Sequence, residues 1–274
     1  MAINNVNLTA SARANLLALQ NTAGLLQSTQ QALATGKKVN SAIDNATAYF
    51  QSQGFLNRAN DLSNLKDSLS TSLQTVTSVG NSIGDVQTIV QQLQGLTTSA
   101  LQTTSTATRS TLATQFNSLR TQLDNLVSDA TFNGTNLLNS STTTLVVFFN
   151  ETNSTSLTIT GVNITSAGLS VSTAGSSWAS VSDINASGSL LLTALQTLRT
   201  DASSFGTNAT LIQTRQDFTS NLINTLQTAS DNLVLADTNE EGANLQALQA
   251  QDQLAIVSLG ISGQLSQAIL RLFP

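Results

Sequence analysis

Residues 62–100, LSNLKDSLSTSLQTVTSVGNSIGDVQTIVQQLQGLTTSA, carry apolar side chains at alternating steps of three and four. The stripe holds for five heptads and lapses only at Ser72 and Thr97. A repeat of this length predicts a single helix of roughly 60 Å. Globular domains seldom need so long a helix, so the stripe indicates a rod or a helical bundle. The members of the stripe are Leu62, Leu65, Leu69, Val76, Val79, Ile83, Val86, Val90, Leu93 and Ala100.

Two further stripes of the same kind follow. One runs from Leu112 to Ala130 and ends before the turn signal Asn133-Gly134. The other begins at Leu191 and reaches Ile212, and after a small register shift it continues from Phe218 to Ala236. The only proline is the last residue, so no interior position interrupts a helix. Three long stripes predict a mainly α fold, an antiparallel bundle or coiled-coil rod.

Both ends of the chain also have helical periodicity. Gly36 ends the first of these helices, and Glu240-Glu241-Gly242 is predicted to break the chain before the last. The two terminal stripes have no partner except each other and neighbouring copies, and exposed apolar patches often mark interfaces. We therefore expect an assembly interface made of Leu16, Leu19, Leu26, Leu33, Leu254, Val257, Ile261, Leu265 and Leu272.

The segment 140–188 has a different texture, rich in Ser, Thr, Asn and Gly. Leu145–Phe149 is predicted as a buried strand and Leu157–Thr160 as an alternating one, with turn residues between them, so a β-hairpin is expected. Exposed hydroxyls in this insert are candidates for O-linked sugar. The candidates are Ser140, Ser141, Thr142, Thr143, Thr155, Ser172, Thr173, Ser176 and Ser177.

Composition argues against several function classes. The chain has no His and no Cys, which removes the commonest general base, metal ligand and thiol nucleophile. The formal net charge of −5 gives no electrostatic support for nucleic-acid binding. No run of 18 apolar residues predicts a membrane span, and the N-terminus lacks the pattern of a standard secretory signal. We expect no catalytic, cofactor or metal site, and no enzymatic activity.

Four blocks of sequence, in order, resemble bacterial flagellins. Thr35–Ala46, TGKKVNSAIDNA, is similar to the family motif Ser-Gly-x-Arg-Ile-Asn-Ser-Ala-x-Asp-Asp-Ala, with Lys and Asn replacing its Arg and second Asp. Thr131–Leu138, TFNGTNLL, resembles the Phe-Asn-Gly-x-x-Leu-Leu block. Asp237–Leu248 and Ile269–Phe273 resemble the C-terminal region of the family. The resemblance covers nearly the whole chain.

The resemblance implies a division of the chain into five segments. Residues 1–38 and 239–274 would be paired inner-tube helices, and residues 39–139 and 189–238 would be helices of an outer shell domain. Residues 140–188 would be the hairpin and a variable surface insert, which is too short for a further domain.

The resemblance also implies a function, that of a structural subunit that polymerises into the flagellar filament used for swimming. The chain would be exported by the flagellar type III apparatus and located outside the cell, in the flagellum. Its partners would be identical copies or sister flagellins, an export chaperone, the filament cap and hook–filament junction proteins. Two alternatives stay open, a hook–filament junction protein and a secreted helical effector or adhesin.

Overall fold

The computed structural model describes residues 10–272, except the side chains of Ser11, Ser266, Ile269, Leu270, Arg271 and Leu272. Five long helices and one small sheet confirm the predicted mainly α class with a hairpin insert. In chain order the elements are α1 (Ala10–Thr35), α2 (Ala46–Gln102), α3 (Thr106–Asp129), β1 (Thr144–Phe148), β2 (Ser156–Thr160), a 3₁₀ turn (Gly175–Trp178), α4 (Val181–Val234) and α5 (Thr238–Leu272).

The described residues form two compact units. Residues 59–223 make up one, called here the central unit. Residues 10–58 and 224–272 make up the other, the terminal unit. Helices α2 and α4 each contribute residues to both units.

The core of the central unit is one continuous cluster of apolar side chains drawn from α2, α3, α4 and the insert. The stripe predicted on α2 lies in this cluster, and Ile83, Val86, Val90 and Leu93 are completely buried. Each aliphatic side chain buried in this way contributes about 1.5–3 kcal/mol to the free energy of unfolding. The heptad repeat therefore stabilises the central unit directly. Its buried partners on α3 and α4 include Phe116, Leu123, Val127, Leu191, Leu198, Phe205 and Ile212.

The predicted register shift in α4 is wrong. Burial continues at heptad spacing from Leu191 through Ile212 to Thr219, which is 3% exposed, whereas Phe218 is 58% exposed. The Thr219 hydroxyl donates to the carbonyl oxygen of Arg215 at 2.8 Å, so a polar residue is satisfied within its own helix. A prediction from apolar residues alone selects Phe218 at this point, because the buried position is occupied by the polar Thr219.

The predicted break at Glu240-Glu241-Gly242 is also wrong, because these residues lie in the first turns of α5. The Asp237 carboxylate accepts hydrogen bonds from the backbone N–H of Asn239 at 2.9 Å and of Glu240 at 3.3 Å. It thereby caps the helix, and acidic side chains are favoured near the positive end of the helix dipole. Two charged residues followed by glycine are typical of a linker, but here the two Glu residues stabilise the start of a helix.

One buried arginine joins α2 to α3. Arg109 Nε donates to the carbonyl oxygens of Ala100 at 3.2 Å and Thr103 at 2.9 Å, at the C-terminal end of α2. Ser105 caps α3 by accepting from Thr108 N–H. A cation that binds carbonyls at the end of a helix satisfies orphan acceptors and complements the helix dipole. This side chain therefore holds the α2–α3 turn closed.

Replacing Arg109 with Ala should destabilise the central unit by about 1–3 kcal/mol, because buried carbonyls lose a charged donor. Urea unfolding followed by the fluorescence of the single Trp, Trp178, measures the change. Arg199→Ala removes an exposed Arg from α4 and serves as the control, with an expected change below about 0.5 kcal/mol. Equal midpoints for the two variants would contradict this role of Arg109.

The hairpin forms as predicted, but its first strand is buried on one face only. β1 and β2 pair antiparallel, with Leu145 opposite Ile159 and Val147 opposite Leu157. Val147 is buried, whereas Val146 and Phe148 are 44% and 39% exposed. The expectation of a strand buried throughout is therefore wrong. A two-stranded sheet on the core covers only one of its faces, so alternate residues point to solvent.

The rest of the insert is fixed to the bundle by a few specific contacts. Trp178 is fully buried, lies edge-on to Phe116 with ring centroids 5.0 Å apart, and donates from Nε1 to Ser187 Oγ at 3.1 Å. The Asp124 carboxylate accepts from the backbone N–H and hydroxyl of Ser166 at 2.6 and 2.7 Å. These contacts make the insert part of the central unit.

Candidate assembly surface

The junction between the terminal helices is a pair of hydrogen-bonded loops in the terminal unit. Gly36 ends α1 with a φ of +69°, a conformation that glycine adopts without strain. The N–H groups of Lys38 and Val39 donate to Val234 O at 2.8 and 3.3 Å, and Ala236 N–H donates to Gly36 O at 3.0 Å. The end of α1 and the start of α5 thus lie together, and the two helices run antiparallel.

The first flagellin-like block forms the connection from α1 to α2. The Asp44 carboxylate accepts from the N–H of Asn40 at 2.9 Å and of Ser41 at 2.8 Å, and these bonds lower the pKa of Asp44. The carboxylate is therefore charged at neutral pH, and its contribution is lost as the pH falls through that lowered pKa. Asn45, where the family has Asp, accepts from Ala48 N–H at 3.0 Å and caps α2.

Helices α1 and α5 pack along a seam that is partly polar and mostly half-buried, with Ala12 and Thr29 of α1 buried. On α1 the inward positions alternate between apolar residues, such as Leu19 and Leu26, and polar residues, such as Asn15 and Thr22. Asn15 Nδ2 donates to Ser258 Oγ on α5 at 3.0 Å. Polar seam residues specify register at a cost in stability. On α5 the half-buried positions are Leu245, Leu248, Asp252, Ala255, Leu259 and Ser262.

The other side of α5 carries an apolar stripe, called here the outer α5 stripe. Its large members, Leu254, Val257, Ile261 and Leu265, are 58–69% exposed. At 100° per residue they lie roughly 140° around the helix from the seam with α1. None of these four is charged, and the exposed Ala243, Ala247 and Ala250 extend the stripe towards the start of the helix.

The nine residues predicted for assembly fall into two groups. The four on α1, Leu16, Leu19, Leu26 and Leu33, are half-buried, on or beside the seam with α5. The four on the outer α5 stripe are exposed. The ninth, Leu272, has a side chain outside the described residues. The structure thus gives the α1 residues a partner within the subunit and leaves the four α5 residues exposed.

Sequence reasoning missed three exposed apolar residues in the same helices. Leu17, Leu25 and Ile256 are 60%, 56% and 54% exposed. They lie off the apolar spacing that defined the predicted stripes. The α1–α5 pair therefore exposes apolar surface on more than one face.

Seven of the nine candidate sugar acceptors are exposed, and Ser140 and Thr143 are half-buried. Ser176 and Ser177 lie in the 3₁₀ turn, with left-handed φ values of 46° and 52°, next to the anchor Trp178. The exposed hydroxyls are therefore presented on a firmly held segment.

Within residues 10–272 no helix combines the length and hydropathy required to cross a membrane.

Comparison with known proteins identifies the family to which the chain belongs. The family model for the bacterial flagellin N-terminal helical region matches residues 3–143. The chain is 36% identical to flagellin FljN and 33% identical to flagellin FljO of Caulobacter vibrioides, and each alignment covers 100% of both chains. It is also similar to the crystal structure of Bacillus cereus flagellin, with 14% identity and a TM-score of 0.49, over 56% of this chain and 88% of that one.

These full-length matches support the flagellin interpretation over the junction-protein and effector alternatives. The chain belongs to the bacterial flagellin family, whose members are structural subunits of the flagellar filament.

Proposed function

We propose that this flagellin polymerises by burying the outer α5 stripe against neighbouring copies. The observation that carries the proposal is the exposure of Leu254, Val257, Ile261 and Leu265 on the side of α5 that faces away from α1. Burial of each would contribute about 1.5–3 kcal/mol to the stability of the contact. A contact between different surfaces of successive copies builds an open helical polymer.

The weak α1–α5 seam supports a second part of the proposal, that the terminal helices gain most of their stability on assembly. Apart from the buried Ala12 and Thr29, the seam positions are half-buried, and they include the polar Asn15, Thr22 and Asp252. Isolated helices and pairs of this kind are marginal, because ordering each residue costs about 1–2 kcal/mol. The terminal helices would then be only marginally stable in the free subunit, which would slow its assembly, and contacts in the filament would stabilise them.

The remaining expectations complete the proposal. Residues 1–38 and 239–274 would line the inner tube, residues 39–139 and 189–238 would form the shell, and residues 140–188 would face outward. The compact terminal unit also takes in residues 39–58 and 224–238, so the start of α2 and the end of α4 would move with the inner-tube helices. Export outside the cell would require a chaperone, and growth would require the filament cap and hook–filament junction proteins. The role is structural, without a catalytic step.

Ile261→Asp should abolish filaments and leave secretion largely intact. The side chain is 59% exposed in the single subunit, so the change spares the fold but puts a charge into the proposed contact. Negative-stain microscopy and sedimentation of concentrated protein measure polymerisation, and circular dichroism confirms an unchanged helix content.

The matched control is Gln249→Asp, which adds the same charge at an exposed position of α5 roughly a third of a turn away from the outer stripe. This variant should still polymerise. Normal filaments from Ile261→Asp would refute the role of the stripe.

The terminal helices of the free subunit should unfold at lower urea concentration than the central unit. Trp178 is the single Trp and lies in the core of the central unit, so its fluorescence reports that unit alone. Far-UV circular dichroism reports all helices and should lose part of its signal first. Leu26→Ala should shift only the early transition, and Leu123→Ala only the fluorescence transition. A single coincident transition would contradict the proposal.

The insert should carry O-linked sugar on its exposed hydroxyls. Intact-mass measurement of native protein should then give more than the 28.6 kDa of the sequence. Replacing Ser141, Ser172, Thr173, Ser176 and Ser177 with Ala should lower the excess, whereas replacing the buried Ser187 should not. A native mass equal to the sequence value would end this idea.

A further inference from the structure

The second flagellin-like block contains the only Asn-Gly dipeptide of the chain, Asn133-Gly134. Both residues are exposed and left-handed, with φ values of 48° and 76°. The residues on either side are hydrogen-bonded to each other, Phe132 N–H to Thr135 O at 3.0 Å and Thr135 N–H to Phe132 O at 2.9 Å. Two positive φ values enclosed by such a pair define a two-residue type I′ turn.

An asparagine followed by glycine carries the groups needed for spontaneous deamidation. The backbone nitrogen of the glycine attacks Cγ of the asparagine and forms a C–N bond, and the side-chain amide leaves as ammonia with the proton of the glycine N–H. Water then cleaves one of the two C–N bonds of the succinimide ring, which leaves aspartate or isoaspartate. Glycine favours the attack because it has no side chain to obstruct its nitrogen. Asn133 is thus a chemically competent modification site.

The folded turn holds the reacting atoms apart. The first central residue of a type I′ turn has a ψ of about +30°, the mirror image of the value in type I. With this ψ, Gly134 N lies nearly opposite Asn133 Cβ across the Cα–C bond, whereas the ring closes only when the two lie on the same side. Because both residues are exposed, solvent reaches the site, and the protection comes from the backbone conformation instead of burial.

The chain on the far side of the turn is firmly held. Asn136 Nδ2 donates to Val127 O at 2.8 Å, near the end of α3, and Asn136 Oδ1 accepts from Leu138 N–H at 2.9 Å. Leu137 and Leu138 are completely buried in the core of the central unit. The turn therefore cannot rotate freely while these contacts persist.

We propose that Asn133 is a deamidation site that folding protects, so that it reacts in the unfolded chain and is inert in the folded subunit. In the unfolded chain ψ of Asn133 rotates freely, and no hydrogen bond between Phe132 and Thr135 restrains it. Chemical change of this kind competes with refolding whenever a chain stays unfolded. The inference concerns the single chain, so it stands independently of the proposed polymerisation.

The isoaspartate product prevents the chain from closing this turn. It adds one carbon atom to the main chain between Asn133 and Gly134, and a two-residue turn with the pairing of Phe132 and Thr135 has no room for that atom. The change lies three residues before the buried Leu137, so it also disturbs the entry of the chain into the core. Aspartate, the other product, adds a charge only, and it tolerates the left-handed backbone.

Rates of deamidation in the folded and the unfolded chain test the proposal. Purified full-length chain is incubated in mildly alkaline buffer, with and without enough guanidinium chloride to unfold it. Peptide mass spectrometry measures the conversion of –NH₂ to –OH at each asparagine. Asn133 should react at least tenfold more slowly in the folded sample. Asn139, exposed and followed by serine, is the internal control and should react slowly in both samples. Equal rates at Asn133 in the two samples would overturn the proposal.

A pair of variants shows whether the turn itself gives the protection. Thr135→Pro removes the N–H that donates to Phe132 O and disfavours the backbone of the preceding residue in the turn. Folded Thr135→Pro should deamidate at Asn133 at least threefold faster than the unaltered chain, with the fluorescence of Trp178 confirming a folded core. Thr135→Ala keeps the N–H and should keep the protection. Equal rates in the two folded variants would overturn the role of the turn.

The effect of the product is measured separately. Chains with isoaspartate at position 133, purified from the unfolded sample, should unfold at lower guanidinium concentration than Asn133→Asp, with Trp178 fluorescence as the readout. Asn133→Asp has the same charge without the added main-chain atom, so it is the matched control. Equal midpoints would refute the effect of the product on folding.

Discussion

The whole structure depends on how apolar side chains are divided between seams inside the subunit and surfaces outside it. In the central unit the seams of α2 and α3 are mostly apolar, and they form a continuous buried core. In α4 and in the terminal pair, polar residues such as Thr219 and Asn15 occupy seam positions while Phe218 and Ile261 remain exposed. Part of the apolar surface is thus not buried when the single subunit folds, and its burial could drive contacts between copies.

Because of this division, we expect the central unit to be more stable than the terminal unit. The central unit combines a buried core, the Arg109 link between α2 and α3, and the Trp178 anchor of the insert. The terminal unit has a half-buried seam and a small set of loop hydrogen bonds between Gly36 and Ala236. Regions with few buried apolar contacts open at low free energy, and such regions are the ones that change state on binding. The continuous buried core and the partly exposed seam therefore belong to different segments of the sequence.

Much of the fold follows from the sequence, because heptad spacing and turn residues act locally. The stripes of α2 and α3, the hairpin and the end of the first helix at Gly36 could all be predicted, but α2 begins at Ala46, well before the first residue of its stripe. Two of the failures share one cause, which is that a pattern of residue types does not show how polar groups are satisfied. Thr219 is buried because its hydroxyl bonds within the helix, and Glu240 is helical because Asp237 caps the segment. Ile261 lies on an exposed face of α5, whereas only the structure shows that Leu26 packs on the seam with α5.

Low charge density completes the argument for a contact-driven polymer. Only 9% of residues are charged, and none lies among the four large residues of the outer α5 stripe. Surfaces without ions can be buried at little desolvation cost, so apolar area converts into affinity with small losses. Specificity must then come from shape and register instead of charge pairing. The polar seam position at Asn15, which donates to Ser258, is a feature of that kind, because it favours one alignment of the two helices over its neighbours.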